Sequence, residues 1–173
     1  MSERSGNGKI LAMASSASYR ETKFNLAAQG RRQPGSTFKI MGLMAALKRG
    51  VSPESTSYTS KPLKFNDKRY GPIETKTYDN TYGGRMNLVT ATLKSDNSVY
   101  MQLGLDVGPQ ATKDAARAMG IKSKLNAYPA EILGGLEDGV SPLEMANAYA
   151  TIASGGMRNK PIAIETVTFP DGH

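Results

Sequence analysis

Ser36 and Lys39 are the residues of this chain whose types and spacing could support covalent chemistry. They lie three positions apart, in Ser-Thr-Phe-Lys, where an apolar periodicity predicts the start of a helix. Side chains three apart on a helix share one face, so the amine is within reach of the hydroxyl. A desolvated lysine has a lowered pKa, and the positive helix N-terminus also favours its neutral form. The pattern indicates a serine nucleophile with a lysine base.

The same residues also have a purely structural interpretation, in which Ser36 caps the helix and Lys39 faces solvent. One Ser-x-x-Lys match is expected by chance in a chain of about this composition, and one occurs. The tripeptide 95–97 (Ser-Asp-Asn) is a second candidate and is equally weak alone, since its serine or asparagine could cap the next helix. Sequence context must therefore decide between these interpretations.

Composition excludes several other chemistries. The 173 residues are 39% hydrophobic, which suffices for the core of about one domain. The chain has no cysteine, which excludes a cysteine nucleophile and a disulfide framework, and a zinc cluster is excluded because the single histidine is His173. A Ser-His-Asp triad is nearly excluded for the same reason. A serine enzyme built from this chain needs a base other than histidine.

The net charge of +7 is concentrated in residues 1–50, which hold nine Lys/Arg and two Asp/Glu. Such a region can face an anionic polymer or a membrane surface, but a solvated basic face is the preferred interpretation. The sequence contains no basic run interleaved with aromatic residues, which is the pattern that would indicate nucleic-acid binding. The longest apolar stretch, 40–47, is too short for a membrane span, and no signal peptide is present, so we expect any anchor outside this chain.

Periodicity and turn residues predict the elements that would position these side chains. A strand is expected at 10–16 and another at 161–168, with a long, mostly irregular excursion at 52–85 that holds short strands at best. Helices are expected from Ser36 to near Gly50 and at 87–93, 97–105, 109–119 and 142–154, the last capped by Ser141. We expect the first strand to lack its partner and the last to open a hairpin that never closes, which predicts an incomplete fold.

Within these elements the sequence resembles the transpeptidase domain of penicillin-binding proteins, especially the bifunctional high-molecular-mass kind. Ser-x-x-Lys and Ser-Asp-Asn are two of the three signature motifs of that family, and they occur here in the family's order. The resemblance extends over nearly the whole chain, through the segments 8–15, 24–39, 78–108, 115–121 and 133–156. It implies that residues 1–173 form a partial transpeptidase domain. The implied fold class is α/β (α+β), an incomplete antiparallel sheet flanked by helices beside a mostly helical lobe, similar to serine β-lactamases.

The resemblance also implies roles for four residues. Ser36 attacks the D-alanyl-D-alanine end of a peptidoglycan stem peptide, and Lys39 activates it. Ser95 relays the proton to the leaving nitrogen, Asn97 binds the substrate amide and holds Lys39, and the Ser36 N–H is an oxyanion donor. Asp96, the variable middle residue, is given no catalytic role. β-Lactams are expected to acylate Ser36.

The implied setting is extracytoplasmic, with a parent protein anchored in the membrane outside this chain. No metal or organic cofactor is implied, and no nucleic acid partner. The third signature motif, Lys-Thr-Gly, is absent, and it normally lies on a later strand. Activity of this chain therefore depends on a missing strand, which we expect a complementing fragment or strand exchange to supply.

Other activities share these motifs. A serine β-lactamase needs a Glu-bearing loop that positions water, and no convincing Glu-x-x-Leu-Asn segment follows Asn97. A D,D-carboxypeptidase differs only in its use of water as acceptor, and a non-catalytic β-lactam sensor is merely acylated. A module that binds an anionic cell-wall polymer, with Ser36 as a plain helix cap, is the alternative from another class.

Overall fold

The computed structural model describes residues 2–3, 6–15 and 18–170. In chain order the elements are β1 Ser2–Glu3, β2 Ile10–Ala12, α1 Leu26–Gln29, a 3₁₀ turn Gly35–Phe38, α2 Lys39–Lys48, β3 Ser57–Ser60, β4 Leu63–Asp67, β5 Gly71–Thr75, β6 Gly84–Asn87, α3 Leu88–Leu93, α4 Asn97–Val107, α5 Pro109–Ala118, a 3₁₀ turn Pro129–Leu133 and α6 Pro142–Ala153. The mixture of helices and small antiparallel sheets confirms the expected fold class. The strands form three two-stranded pairs.

The chain divides into two compact units. The first contains the described residues up to 32, then 118–122 and the described residues from 140. In it β1 pairs antiparallel with β2, and α1 packs against α6. Ser141 caps α6, with a capping box to Glu144 and Pro142 in the first turn, as the sequence predicts. The expectation that β2 lacks a partner strand is therefore wrong, because β1 is that partner.

The second unit contains residues 33–117 and 123–139. Its centre is α4, which is buried on most sides and packs against α2, β3 and the 129–133 turn. The side chain of Ile132 on that turn packs against a glycine of each helix, Gly42 of α2 and Gly104 of α4. A Cβ on Gly42 would lie 2.2 Å from Ile132 Cδ1, and a Cβ on Gly104 would lie 2.9 Å from the same atom. These glycines let the turn approach the two helices that carry the candidate site.

The strand expected at 161–168 is wrong, the one expected at 10–16 is too long, and the excursion at 52–85 holds short strands. Residues 52–85 contain β3, β4, β5 and the start of β6, with β4 and β5 forming a hairpin and β3 pairing with β6. Polar strands with exposed faces give no clear apolar alternation, and the β3–β6 pairing is non-local. In 161–168 the structure has only an isolated bridge, between Lys9 and Ile162. The strand expected at 10–16 is shorter, at Ile10–Ala12, and residue 16 lies outside the described residues.

Candidate active site

Ser36 lies in the 3₁₀ turn that runs directly into α2 at Lys39. Residues three apart in a 3₁₀ turn lie above one another, so Ser36 and Lys39 share a face. Phe38 is completely buried and anchors the turn in the core. The expected capping role of Ser36 is wrong, because Pro34 occupies the cap position and no side chain caps the turn.

Lys39 is buried, with only 4% of its surface exposed, which contradicts the interpretation as a solvent-facing lysine. Its ammonium donates to Ser95 Oγ at 3.0 Å, to Asn97 Oδ1 at 2.7 Å and to the backbone oxygen of Ser95. It also lies 5.5 Å from the centroid of the Tyr100 ring. All three N–H groups of the ammonium therefore donate to oxygens of Ser95 and Asn97. The motif residues that are distant in sequence are brought together at this lysine.

Burial lowers the pKa of Lys39 from 10.5 to about 8, and the nearby carboxylate of Asp96 opposes that shift. The cause is desolvation, since the direct hydrogen-bond acceptors of the ammonium are neutral oxygens. At pH 8 about half of the molecules therefore hold a neutral amine, whose lone pair can accept a proton. This is the ionisation state that a general base near neutral pH requires.

Ser95 occupies the corner between α3 and α4 with a positive φ of 53°, a strained conformation for a residue with a side chain. Its N–H donates to the carbonyl of Thr92, and its hydroxyl and carbonyl both contact Lys39. The left-handed corner thus directs two oxygens of one residue at the lysine.

Asp96 has a role that the sequence interpretation missed. It is buried, caps α4 by accepting the Val99 N–H at 2.9 Å, and accepts the Ser60 hydroxyl at 2.5 Å. Asp96, rather than Ser95 or Asn97, is therefore the helix cap. The preference for aspartate before an apolar helix was the available signal. Asp96 joins the start of α4 to β3 and places a negative charge near Lys39.

Asn97 connects Lys39 with the segment that borders the cleft. Its Oδ1 accepts from the Lys39 ammonium, and its Nδ2 donates to the carbonyl of Lys76 at 3.0 Å. Because one end of the amide only accepts and the other only donates, this pair of contacts orients the side chain.

Ser36, Ser95 and Asn97 line one cleft of about 740 Å³. Its other lining residues are Thr77, Tyr78, Asp79, Thr81, Tyr82, Gly83, Lys94 and Asp96. Tyr78 and Tyr82 add aromatic surface to this lining. In this structure the Ser36 hydroxyl donates no hydrogen bond to Lys39, whose donors point to Ser95 and Asn97. The cleft thus offers a serine, and the buried amine of Lys39 bonds to two other residues that line it, Ser95 and Asn97.

Comparison with known proteins shows the family of this chain. The model of the penicillin-binding protein transpeptidase domain matches residues 4–171. The chain belongs to this transpeptidase family. Penicillin-binding protein 2D of Bacillus subtilis is 32% identical over 168 residues, which are 96% of this chain and 24% of the relative. Penicillin-binding protein 1A of Rickettsia typhi is 31% identical over 95% of this chain and 21% of the relative.

Solved structures of the family have the same fold. Penicillin-binding protein 1A of Haemophilus influenzae superposes with a TM-score of 0.88 at 29% identity, over 98% of this chain and 25% of that one. PonA1 of Mycobacterium tuberculosis, in complex with penicillin V, has a TM-score of 0.74 at 29% identity, over 86% of this chain and 42% of that one. This transpeptidase chain thus spans about a quarter of the length of the curated relatives it matches. In the described part of the chain, no helix is long and apolar enough to cross a bilayer.

Replacing Asp96 with asparagine is expected to lower the pKa of Lys39 further below about 8. The carboxylate raises that pKa, and an amide removes the charge while it still caps α4 by accepting the Val99 N–H. An NMR titration of the Lys39 side chain measures the shift directly. Asp106→Asn is the matched control, since Asp106 lies on the same helix and accepts the Tyr58 hydroxyl. An unchanged or raised midpoint in Asp96→Asn contradicts the prediction.

Proposed function

We propose that Ser36 is the nucleophile of a D,D-transpeptidase that cross-links peptidoglycan stem peptides through an acyl-enzyme. The observation that carries the proposal is the buried Lys39, with a pKa of about 8, held by Ser95 and Asn97 at the cleft that Ser36 lines. Membership of the transpeptidase family supports it. Since peptidoglycan lies outside the cytoplasmic membrane, the proposed location is extracytoplasmic.

In the first half-reaction, neutral Lys39 accepts the proton of the Ser36 hydroxyl as Oγ attacks the carbonyl carbon of the penultimate D-alanine. The backbone N–H of Ser36 donates to the oxyanion that forms. When the C–N bond breaks, the proton passes from Lys39 through the Ser95 hydroxyl to the nitrogen of the terminal D-alanine. That amino acid leaves, and the stem peptide remains as an ester on Ser36.

In the second half-reaction, an amine of a neighbouring stem peptide attacks the ester carbon. Its proton returns through Lys39 to Ser36 Oγ as the ester bond breaks, so the hydroxyl is restored and the peptide cross-link is formed. Asn97 holds Lys39 through Oδ1 during both steps, and its Nδ2 exchanges the Lys76 carbonyl for the substrate amide oxygen. No metal or organic cofactor enters this scheme.

A β-lactam ring would react at the same hydroxyl, because its strained amide takes the place of the D-alanyl-D-alanine bond. The solved relatives include penicillin-binding protein A of Mycobacterium tuberculosis as an imipenem acyl-enzyme complex. The burial of Lys39 favours this chemistry over a polymer-binding module, in which a lysine would keep its charge in solvent.

Intact mass spectrometry after incubation with a penicillin tests the proposal. We expect a stable increase by the mass of one penicillin in the wild-type chain and none in Ser36→Ala. Thr37→Ala, which changes the neighbouring hydroxyl in the same turn, should be labelled like the wild type. An adduct that disappears within minutes would indicate a β-lactamase instead. No adduct here, and none on a longer chain that includes a Lys-Thr-Gly motif, would overturn the proposal.

A further inference from the structure

Gly134 lies against the backbone of Gly35, the residue before the proposed nucleophile. A Cβ on Gly134 would be 2.2 Å from the Gly35 oxygen, 2.4 Å from its nitrogen and 2.6 Å from its carbonyl carbon. Gly134 follows the 129–133 turn and has a φ of +83°. Backbone atoms cannot move aside as the end of a flexible side chain can, so a side chain at position 134 would displace the start of the Ser36 turn.

Gln33 holds the segment that leads into the same turn. Its side-chain Oε1 accepts the Leu136 N–H at 2.8 Å, and its Nε2 donates to the Leu136 carbonyl. The amide therefore pairs with the backbone of Leu136 as a neighbouring strand would, across about a hundred residues of sequence. Leu136 is itself buried, so it offers a fixed point of attachment.

The Gly134 contact acts directly on one peptide plane, and the Gln33 contact fixes the residues that lead into it. The carbonyl of Gly35 and the N–H of Ser36 belong to the same planar unit, so a collision at that oxygen also reorients the N–H. We propose that Gly134 and Gln33 are positioning residues that set the orientation of the Ser36 N–H, the oxyanion donor of the proposed reaction. This inference rests on the proposed function for its kinetic consequence, but the structural consequence can be measured without it.

The kinetic test compares Gly134→Ala and Gln33→Ala with two control variants by acylation with a penicillin, followed by intact mass against concentration. Losing one oxyanion donor typically lowers the rate by about 10²–10³, so we expect at least a tenfold fall in the acylation rate constant. The dissociation constant of the preceding complex should change much less. If the acylation rate constant falls and the dissociation constant rises to a similar extent, the role is merely structural and the proposal is overturned.

The controls separate the contact from the backbone strain that any positive-φ substitution causes. Gly50→Ala has the same kind of strain, with φ +79°, but its Cβ would meet nothing within 4 Å. Gly135→Ala changes the adjacent residue, whose Cβ would only approach Ala130 at 3.2 Å. Both controls should be acylated within about twofold of the wild-type rate. If Gly134→Ala matches Gly50→Ala, the proposal is overturned.

An NMR measurement keeps this inference distinct from the proposed function. The Ser36 amide resonance should shift in Gly134→Ala and Gln33→Ala, while the α4 amides stay unchanged. If the wild-type chain is not acylated but these amide changes occur, the positioning holds and the proposed reaction fails. If the Ser36 amide is unaffected in both variants, the positioning role is wrong whatever the acylation result.

Discussion

Replacement of Lys39 with methionine is expected to lower the rate constant for acylation of Ser36 by at least about 100-fold. Methionine is uncharged and similar in length, so it fills the buried site without a group that can accept the serine proton. General bases contribute about 10²–10⁴ to reaction rates, and the remaining rate would come from the oxyanion donor and from binding. Acylation by a penicillin, followed by mass spectrometry, measures the loss.

The pH dependence of the acylation rate is a more specific test of Lys39 as the base than the size of the rate loss. Lys39 acts as a base only when it is neutral, which it becomes above a pKa of about 8. The wild-type acylation rate should therefore rise with pH up to about 8 and then level off, and this rise should disappear in Lys39→Met. Lys48→Met changes an exposed lysine of the same helix and should keep the wild-type profile. A rise that persists in Lys39→Met would assign the base to another group.

The same pKa predicts how the free energy of unfolding depends on pH. Between about 8 and 10.5 the unfolded chain holds the Lys39 proton while the folded chain has released it, so stability rises with pH across this window. Relative to Lys39→Met, the total rise is on the order of 3 kcal/mol. Urea unfolding of both proteins at pH 7 and pH 10.5 checks this. A constant difference between them would show that burial does not shift the lysine.

Asn97→Asp is expected to reduce acylation at pH 7 by about 10- to 1,000-fold and to restore much of it at high pH. The new carboxylate would replace the amide oxygen that lies 2.7 Å from the Lys39 ammonium. An opposite charge at this distance typically raises a lysine pKa by about 1–3 units, and each unit lowers the neutral fraction at pH 7 about tenfold. The acylation rate measured from pH 6 to 11 should show an alkaline shift of the midpoint.

Asn87→Asp is a closely matched control for this variant. Asn87 precedes α3 as its cap, accepts the Thr90 N–H and donates to the carbonyl of Glu54 at 3.2 Å, much as Asn97 donates to Lys76. The substitution therefore removes a comparable donor and adds the same charge outside the Lys39 site. We expect no change in its pH midpoint. A pH-independent loss in Asn97→Asp would mean that the amide donor, and not the ionisation of Lys39, controls the rate.

Local sequence signals predicted the helices well. Pro142 after Ser141, with Glu144 in the first turn, predicted α6, and the periodicity after residue 36 predicted α2. These signals work because capping and side-chain spacing involve residues within about one turn of each other. The pairing of the strands was not predicted, because a pair such as Ser60 with Gly84 joins residues far apart in the chain.

The sequence by itself determined which residue types are available for catalysis and excluded cysteine and histidine chemistry. It also carried the resemblance that grouped Ser36 and Lys39 with 95–97. Only the tertiary structure decided between a capping serine with a solvated lysine and a buried base. That choice depends on burial and on contacts between α2 and the α3–α4 corner, and it lowers the pKa of Lys39 to about 8. Desolvation is a property of the packed surroundings, so no motif contains it.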